Sequence, residues 1–507
     1  MSDHVRLPAT LPGIPHQPRR PDRVTGTGTG TDPIGELARE LDAFVAAAVH
    51  PDEVAALLEA DGLTDARIRE RYGVRDSFAL AEELYGRTPR RHPEPDGAHP
   101  DSWRAGLLGC LLRGLVFALP GFAYVLGAPL LAGPHEAYGL PPGTLPLLAG
   151  ALCGWAFNQG LAHRAHSWLS LGDLPAARRC LLVGAPAGML LGTLVALAVA
   201  DRAHPAAAAF AAGQSCYLGA AGVLLVLGRE RVLLAALLPM TAGALLALVH
   251  PVPEPARLLL LVTSLSAVAT LALLEVAPAA KAPGDGSRPA GLAALLPAGR
   301  RRGAGRARPA VAGPPLLASL PYAVFGLATG ALVVYAALGD VLTGAERSAV
   351  EAPAAVALTL SMGPAEWLLY RFRGGGVAGL RASGTSRAFR RRAARTLARC
   401  LGGYLAALLA LALATTALWP HAPVPTGVRL AGLLALGAVL WTGLLLQSFG
   451  TVLGTTAVCC AAALAQSLAL LTRTGAPGTV ALVVYASAAT AQAALARVLL
   501  GRATAHR

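Results

Sequence analysis

The sequence predicts an all-α, polytopic integral membrane protein with about twelve transmembrane helices in two six-helix halves, preceded by a small cytosolic helical region. Of its 507 residues, 54% are hydrophobic and only 14% are charged, whereas soluble proteins carry about 25% charged residues. Apolar stretches of the length that crosses a bilayer, about 20 residues, follow one another from residue 107 onward. This composition excludes both an ordinary soluble protein and a disordered chain.

Three segments precede the first apolar stretch. Residues 1–31 are rich in Pro, Arg, Gly and Thr and predict a disordered tail, and residues 89–106 predict a linker. Between them, residues 32–88 predict an acidic bundle of four helices that begin at Asp32-Pro33, Pro51, Thr64-Asp65 and Asp76-Ser77. The residues expected to form its core are Val54, Leu57, Leu58, Ile68, Tyr72, Phe78, Leu80, Leu84 and Tyr85.

The charge of this bundle limits its partners. From Asp32 to Gly86 there are 13 Asp and Glu residues against five Arg. The short connection between the second and third helices resembles a helix-turn-helix, but the acidic balance opposes binding to phosphate. We therefore expect no nucleic acid partner, and a contact with a cytosolic protein instead.

The twelve predicted spans are 107–131, 145–161, 180–200, 205–228, 232–250, 256–277, 316–338, 349–370, 398–419, 428–447, 452–471 and 478–499. The connections on one side contain 20 Lys and Arg residues, whereas those on the other side contain three, or five if Arg257 and Arg429 at the ends of the spans are included. Because cytoplasmic loops carry the positive excess, we expect both termini in the cytosol, including a tail at 501–507. The abundance of Arg, Ala, Gly and Pro is typical of a GC-rich bacterial genome and predicts the bacterial cytoplasmic (inner) membrane.

Two membrane halves, 107–277 and 316–500, are predicted on either side of the basic linker 278–315. The first span contains Pro120 and the seventh contains Pro321, and each proline is expected to kink its helix because it removes a backbone donor. A long basic loop follows the second span and another follows the eighth. With six helices each, the halves would share one orientation and be related by a twofold axis along the membrane normal.

This pattern resembles the multidrug/oligosaccharidyl-lipid/polysaccharide flippase superfamily, whose members have two six-helix bundles with bent first and seventh helices. The resemblance covers residues 107–500 and depends on Pro120, Pro321 and the two loops. It implies a transporter or flippase for an amphipathic anionic substrate such as a lipid-linked saccharide. A permease of the major facilitator superfamily is an alternative, but Asp173, Arg178 and Arg179 match only part of that family's loop signature.

Polar groups within spans are costly and mark candidate functional residues. The candidates for a substrate cavity are Arg113, Asn158, Gln159, Glu275 and Glu366. The alternatives are that the charged groups reach the interface and that the amides bond between helices. Glu351 is expected to be solvated, and Gln214, Gln447, Gln466 and Gln492 are expected to join helices.

A cluster of arginines is predicted on an inner-surface helix, where it would attract the headgroups of anionic membrane lipids. Its members are Arg387, Arg390, Arg391, Arg392 and Arg395. Attraction of an anionic substrate is the other interpretation.

The sequence favours no enzyme, catalytic residue, cofactor or metal site. The seven cysteines lie in or beside apolar stretches and lack metal or redox spacing. His163, Arg164 and His166 lack a suitably spaced carboxylate for a metal, and Gly374-Gly375-Gly376 lacks the Gly-Lys that ends a P-loop. The main alternative to a transporter is a membrane scaffold or regulator that acts through residues 32–88.

Overall fold

A computed structural model of the chain describes residues 32–48, 50–89, 106–131, 143–201, 203–281, 315–342, 352–381, 385–418 and 426–502. Within these ranges every regular element is a helix. The chain divides into two compact units, residues 1–100 and residues 101–507. The predicted tail at 1–31, nearly all of the basic linker 278–315, and Glu351 lie outside the described residues.

The N-terminal unit contains five short helices. They are α1 (Pro33–Glu40), α2 (Asp42–Ala47), α3 (Pro51–Ala60), α4 (Asp65–Tyr72) and α5 (Ser77–Arg87). The predicted first helix is therefore divided at Leu41. Asp32 and Asp76 cap α1 and α5, since their Oδ1 atoms accept hydrogen bonds from the backbone N–H groups of Ile34 (3.1 Å) and Ala79 (2.9 Å).

The core of this unit agrees with the predicted one at most positions. Val54, Leu58, Ile68, Leu80 and Leu84 are buried, as is Tyr72. Leu57 and Tyr85 are half-buried, and Phe78 is the clear exception, with 55% of its surface exposed. Its neighbour Ser77 faces inward instead and donates to Glu59 Oε1 at 2.8 Å, so the next residue along the helix points away from the core.

The membrane unit begins with a helix in two segments, α6 (Leu107–Ala118) and α7 (Phe122–Leu131), joined by a 3₁₀ turn at Leu119–Gly121. The remaining helices of the first half are α8 (Thr144–Ser170), α9 (Leu174–Val199), α10 (Pro205–Val226), α11 (Glu230–Val249), α12 (Glu254–Val276) and the short α13 (Pro278–Lys281). Those of the second half are α14 (Leu320–Leu342), α15 (Ala352–Leu360), α16 (Met362–Arg381), α17 (Ser386–Leu418), α18 (Gly427–Ser448), α19 (Val452–Thr472) and α20 (Pro477–Leu499).

The helices confirm an all-α, polytopic membrane protein. Among the described residues, ten helices are long and apolar enough to cross a bilayer. The other two predicted spans, the second and the eighth, are helical as well, as α8 and as α15 with α16. They are less apolar because α8 carries Asn158, Gln159 and Arg164, and α16 carries Glu366 and several arginines.

The long loops expected after the second and eighth spans are largely helix. Residues 162–170 continue α8, and only a short turn precedes α9. In the second half, α16 runs to Arg381 and α17 starts at Ser386. The transmembrane helices therefore extend through most of both segments, even though the last turns of α16 contain four glycines, which disfavour a helix.

The helix contacts repeat from one half to the other. In the first half α7 packs on α11, α10 on α12, and α11 on α12, and in the second half the equivalent pairs α14–α19, α18–α20 and α19–α20 are in contact. Between the halves, α8 packs on α14, and α6 packs on α15 and α16. These contacts join the second span to the seventh and the first to the eighth, which is the pairing expected of two repeats related by a twofold axis.

Two helices at equivalent positions of the halves end in the same kind of turn. Gly228 follows α10 with φ 69° and Gly450 follows α18 with φ 75°. In both places the next N–H bonds back to a helical carbonyl, Arg229 to Leu224 (2.8 Å) and Thr451 to Leu446 (3.0 Å). This helix ending needs a left-handed residue, which glycine adopts without strain, and it lets the next helix start at once.

Candidate functional site

Arg113 contacts two carboxylates on different helices. Its Nε donates to Glu230 Oε1 at the start of α11 at 2.9 Å. Its Nη1 donates to Glu366 Oε1 on α16, which belongs to the other half. Both carboxylates are more than three-quarters buried. Arg113 and Glu366, proposed independently from the sequence, therefore belong to one site, which also contains Glu230. Sequence reasoning missed Glu230 because it lies at a helix start.

A close helix crossing brings these side chains together. A Cβ atom on Gly114 would lie 2.8 Å from the backbone nitrogen of Gly363, and one on Gly363 would lie 2.9 Å from the carbonyl oxygen of Cys110. The α6 and α16 backbones thus touch where both residues lack a side chain. Arg113 is adjacent to this crossing, and Glu366 follows Gly363 by three residues, which places it almost one turn further along α16.

The second contact between the halves joins α8 to the start of α14. The His163 ring stacks on Tyr322 with centroids 3.7 Å apart, and its Nδ1 lies 3.0 Å from Ser319 Oγ. A Cβ atom on Gly160 would lie 3.2 Å from that of Ala323. In the sequence, His163 stood out only as a possible metal ligand without a suitably spaced carboxylate. Its contact with Tyr322 could not be predicted from the sequence, because the two residues are far apart in it.

Glu275 belongs to a separate ion-pair group within the first half. Arg229 binds both of its oxygens, at 2.7 and 3.3 Å, and Arg178 lies 3.5 Å away. Arg229 and Glu230 are neighbours in the sequence, so the two groups are adjacent along the chain. These groups lie at one end of the membrane unit, together with the α8–α9, α10–α11 and α18–α19 turns. We call this end the arginine-rich end and the opposite end the arginine-poor end.

Asn158 and Gln159 lie in helix contacts. The Asn158 side chain donates to the carbonyl oxygen of Leu218 on α10 at 3.0 Å. Gln159 packs against α14, where a Cβ atom on Gly326 would lie 2.8 Å from its Cγ. Asn158 thus joins two helices within one half, whereas Gln159 lies between the halves.

The two prolines have different surroundings. Pro120 lies in the 3₁₀ turn that divides α6 from α7, as expected of a kink. Pro321 is the second residue of α14, directly after a 3₁₀ turn at Leu316–Ser319, and α14 continues unbroken to Leu342. The change from 3₁₀ to α geometry thus falls just before Pro321, where a proline costs no hydrogen bond, and the kink expected there stays a prediction.

The arginine cluster lies along the first turns of α17. Arg387, Arg390, Arg391, Arg392 and Arg395 are all exposed. On the opposite face of the same turns, Phe389, Ala393 and Leu397 are buried. This segment is therefore amphipathic and continues directly into a transmembrane helix.

The membrane amides differ in how they are bonded. Gln214 accepts from the hydroxyl of Tyr124 at 2.9 Å, and buried Gln492 bonds Thr442 and Cys459. The side-chain oxygens of Gln447 and Gln466 are buried without a hydrogen-bond partner. Among the described residues, no group of three or more His, Cys, Asp or Glu side chains could hold a metal ion.

A half-open cavity of about 330 Å³ lies in the first half, where the lining residues Leu258 and Val262 are exposed at its mouth. Side chains from α7, α10, α11 and α12 line it, and most are apolar; they include Phe210, Met240 and Leu261. Pro120, Tyr124 and Ser264 also border it. The 3₁₀ turn thus separates the Arg113 site on α6 from this apolar space beside α7.

Comparisons with known proteins add little to these observations. No protein-family model matches the sequence, and no curated protein matches it. The chain is similar to a solved structure described as "Crystal structure of MATE in complex with MaL6", at 13% identity over 80% of this chain and 100% of that chain, with a TM-score of 0.39. A similarity of that size establishes neither fold nor function. The helices themselves define the class: a polytopic membrane protein with two halves joined by an ion pair.

Proposed function

We propose that this protein is a membrane transporter that alternately opens a space between its two halves. The observation that carries the proposal is the contact of Arg113 with Glu366 across the halves. Charged groups within membrane helices are retained at a cost and usually serve function. Together with the His163–Tyr322 contact, this ion pair closes the arginine-rich end, which we assign to the cytoplasm from the distribution of positive charge.

The break at Pro120 supports a hinge in the first span. α6 packs against α15 and α16 of the other half, whereas α7 packs against α10, α11 and α12 of its own half. A 3₁₀ turn inside a helix often marks a hinge. When the ion pair separates, α6 moves away from the second half while α7 keeps its contacts.

The test measures the opening of the arginine-rich end directly. Spin labels are attached at Leu171→Cys in the first half and Thr385→Cys in the second, both exposed positions, in a chain whose native cysteines are replaced. Glu366→Gln and Arg113→Gln should shift the distance distribution to longer values. Glu275→Gln is the matched control, because it removes a carboxylate at the same end whose partners all lie in the first half. Equal distributions in Glu366→Gln and the unmutated parent would refute the gate.

The narrower hypothesis concerns the substrate, which we propose to be an amphipathic anion such as a lipid-linked saccharide. The cavity beside Pro120 is apolar enough for a hydrocarbon chain, and Arg113 supplies a cation for an anionic group. A fluorescent polyprenyl-pyrophosphate sugar in proteoliposomes, quenched from outside by dithionite, tests this. If the wild-type protein moves this lipid across the bilayer and Arg113→Gln does not, the result supports the hypothesis. A rate of lipid movement equal to that of protein-free vesicles excludes this substrate.

A second candidate function is a scaffold that acts through the N-terminal unit. That unit has its own buried core and forms a compact body, and its surface is acidic, so a basic protein segment is the partner it fits. Deletion of residues 1–100 separates the two functions. A transporter should keep its basal transport without them, whereas a scaffold should lose its cellular phenotype.

A further inference from the structure

A small pocket lies at the arginine-poor end of the second half. Residues of α14, α15, α18, α19 and α20 line it, and its volume is about 60 Å³. A site for one water needs about 10–15 Å³ of such volume. The pocket therefore has room for roughly five non-hydrogen atoms, the size of a tetrahedral oxyanion.

Arg429 gives this pocket a positive charge. It lies in the first turn of α18 and lines the pocket. The first turn of α20, at Pro477 and Gly478, lines the same pocket. That helix has no side-chain cap, and the N-terminus of a helix favours an anion.

Gln466 gives the pocket an unsatisfied acceptor. This side chain of α19 is only 7% exposed, and its Oε1 is buried without a hydrogen-bond partner. The two tyrosines of the pocket are engaged elsewhere: Tyr335 bonds Ser467 at 2.7 Å, and Tyr485 donates to the carbonyl oxygen of Leu332 at 3.0 Å. A buried acceptor without a partner is costly, and a ligand that donates to it would remove that cost.

We propose that this pocket binds a monohydrogen phosphate group. Arg429 and the start of α20 bind the negative oxygens, and Gln466 Oε1 accepts a hydrogen bond from the P–OH group. The group comes either from free inorganic phosphate or from the headgroup of a lipid that ends in a phosphate monoester. This site is distinct from Arg113 and does not depend on the proposed transport.

The test is binding of radiolabelled inorganic phosphate to the purified full-length protein in detergent at neutral pH. Binding should be saturable, and sulfate should compete at least about 10-fold more weakly because it has no hydroxyl to offer Gln466. Arg429→Gln should abolish binding, and Gln466→Leu should weaken it about 10-fold. Arg257→Gln is the matched control, since it removes an arginine at the same end that does not line the pocket.

Thermal unfolding of the same variants separates binding from folding. Without phosphate, the thermal unfolding midpoint of Gln466→Leu should be no lower than that of the wild type, because the substitution removes an unsatisfied buried acceptor. Nanodiscs that contain phosphatidic acid distinguish the two sources: competition with inorganic phosphate there, but not in phosphatidylcholine nanodiscs, identifies a lipid headgroup. The proposal is overturned if the wild type shows no saturable phosphate binding, or if Arg257→Gln loses as much affinity as Arg429→Gln.

Discussion

Arg113 and Glu366 lie 253 positions apart in the sequence and form an ion pair that joins the two halves of the membrane unit. Arg113 also binds Glu230 of its own half. One guanidinium thus holds two carboxylates, which is possible because its five donors point in several fixed directions. This arrangement leads to the first prediction.

Arg113→Lys should only partly preserve the contact between the halves. Lysine keeps the charge, but its compact ammonium group cannot reproduce the two-sided geometry of arginine. In the spin-label experiment, we expect a distance distribution between those of the wild type and Arg113→Gln. A distribution identical to that of the wild type would show that charge alone suffices and that the geometry of the arginine is unimportant.

Gly114→Ala should destabilise the protein by about 2 kcal/mol, because a new methyl group would press on the backbone of α16. Gly109→Ala is the matched control in the same helix, since its new Cβ would meet no atom within 4 Å. That variant should be neutral or stabilised by up to about 1 kcal/mol, as alanine favours helices. Thermal unfolding in detergent measures both. Equal stabilities would argue against the close crossing.

Trp441→Phe should cost about 1 kcal/mol through loss of a hydrogen bond. The buried indole Nε1 of α18 donates to the carbonyl oxygen of Ala365 at 3.2 Å, and its ring stacks near Tyr404. Trp441→Ala should cost about 3–5 kcal/mol, because it also leaves a cavity. Trp155→Phe, at a 39% exposed position, is the control and should change the thermal unfolding midpoint little.

Acid should loosen the N-terminal unit through its helix caps. The pKa of Asp32 is lowered by a hydrogen bond from the backbone N–H of Gly35 and by the neighbouring Arg87. The pKa of Asp76 is lowered by a hydrogen bond from the backbone N–H of Ala79 and by the neighbouring Arg75. Groups with a depressed pKa stabilise the folded state above the pKa of the unfolded state, near 3.8, and lose that effect as the pH falls through the folded pKa. The protection of amides in residues 32–88 against hydrogen exchange, measured relative to the unfolded chain at the same pH, should therefore decrease below about pH 4.

Substitution of the caps tests this interpretation. Asp32→Asn retains a capping side chain but neither titrates nor pairs with Arg87. It should exchange faster than the wild type at neutral pH and respond less to acid. Glu70→Gln, an exposed change outside both caps, should leave the exchange profile unaltered. An unchanged acid response in Asp32→Asn would assign the effect to other groups.

Much of the membrane architecture could be predicted from the sequence. The helical spans, with the polar connections between them and the division into two sets of six, depend on runs of apolar residues. Each run is formed by consecutive residues and can be recognised without knowledge of the rest of the chain. The break at Pro120 was predictable for the same reason, since a proline inside a helix removes a hydrogen bond wherever the helix lies. The start of α14 could not be located from the sequence, because it lies within an apolar stretch; Pro321 falls in the first turn of that helix, where a proline costs no hydrogen bond.

The class of this protein follows from its apolar runs alone, because burial in lipid demands continuous apolar helices whatever their neighbours are. Which polar groups meet depends instead on how the helices pack. Arg113, Glu230 and Glu366 stand on three helices, and their meeting depends on how closely α6 and α16 can approach at two glycines. Glu275 has the same character in the sequence as Glu366, yet packing gives it partners in its own half. Helix packing depends on how the surfaces of two helices fit together, and the pattern of residues along one helix does not predict that fit.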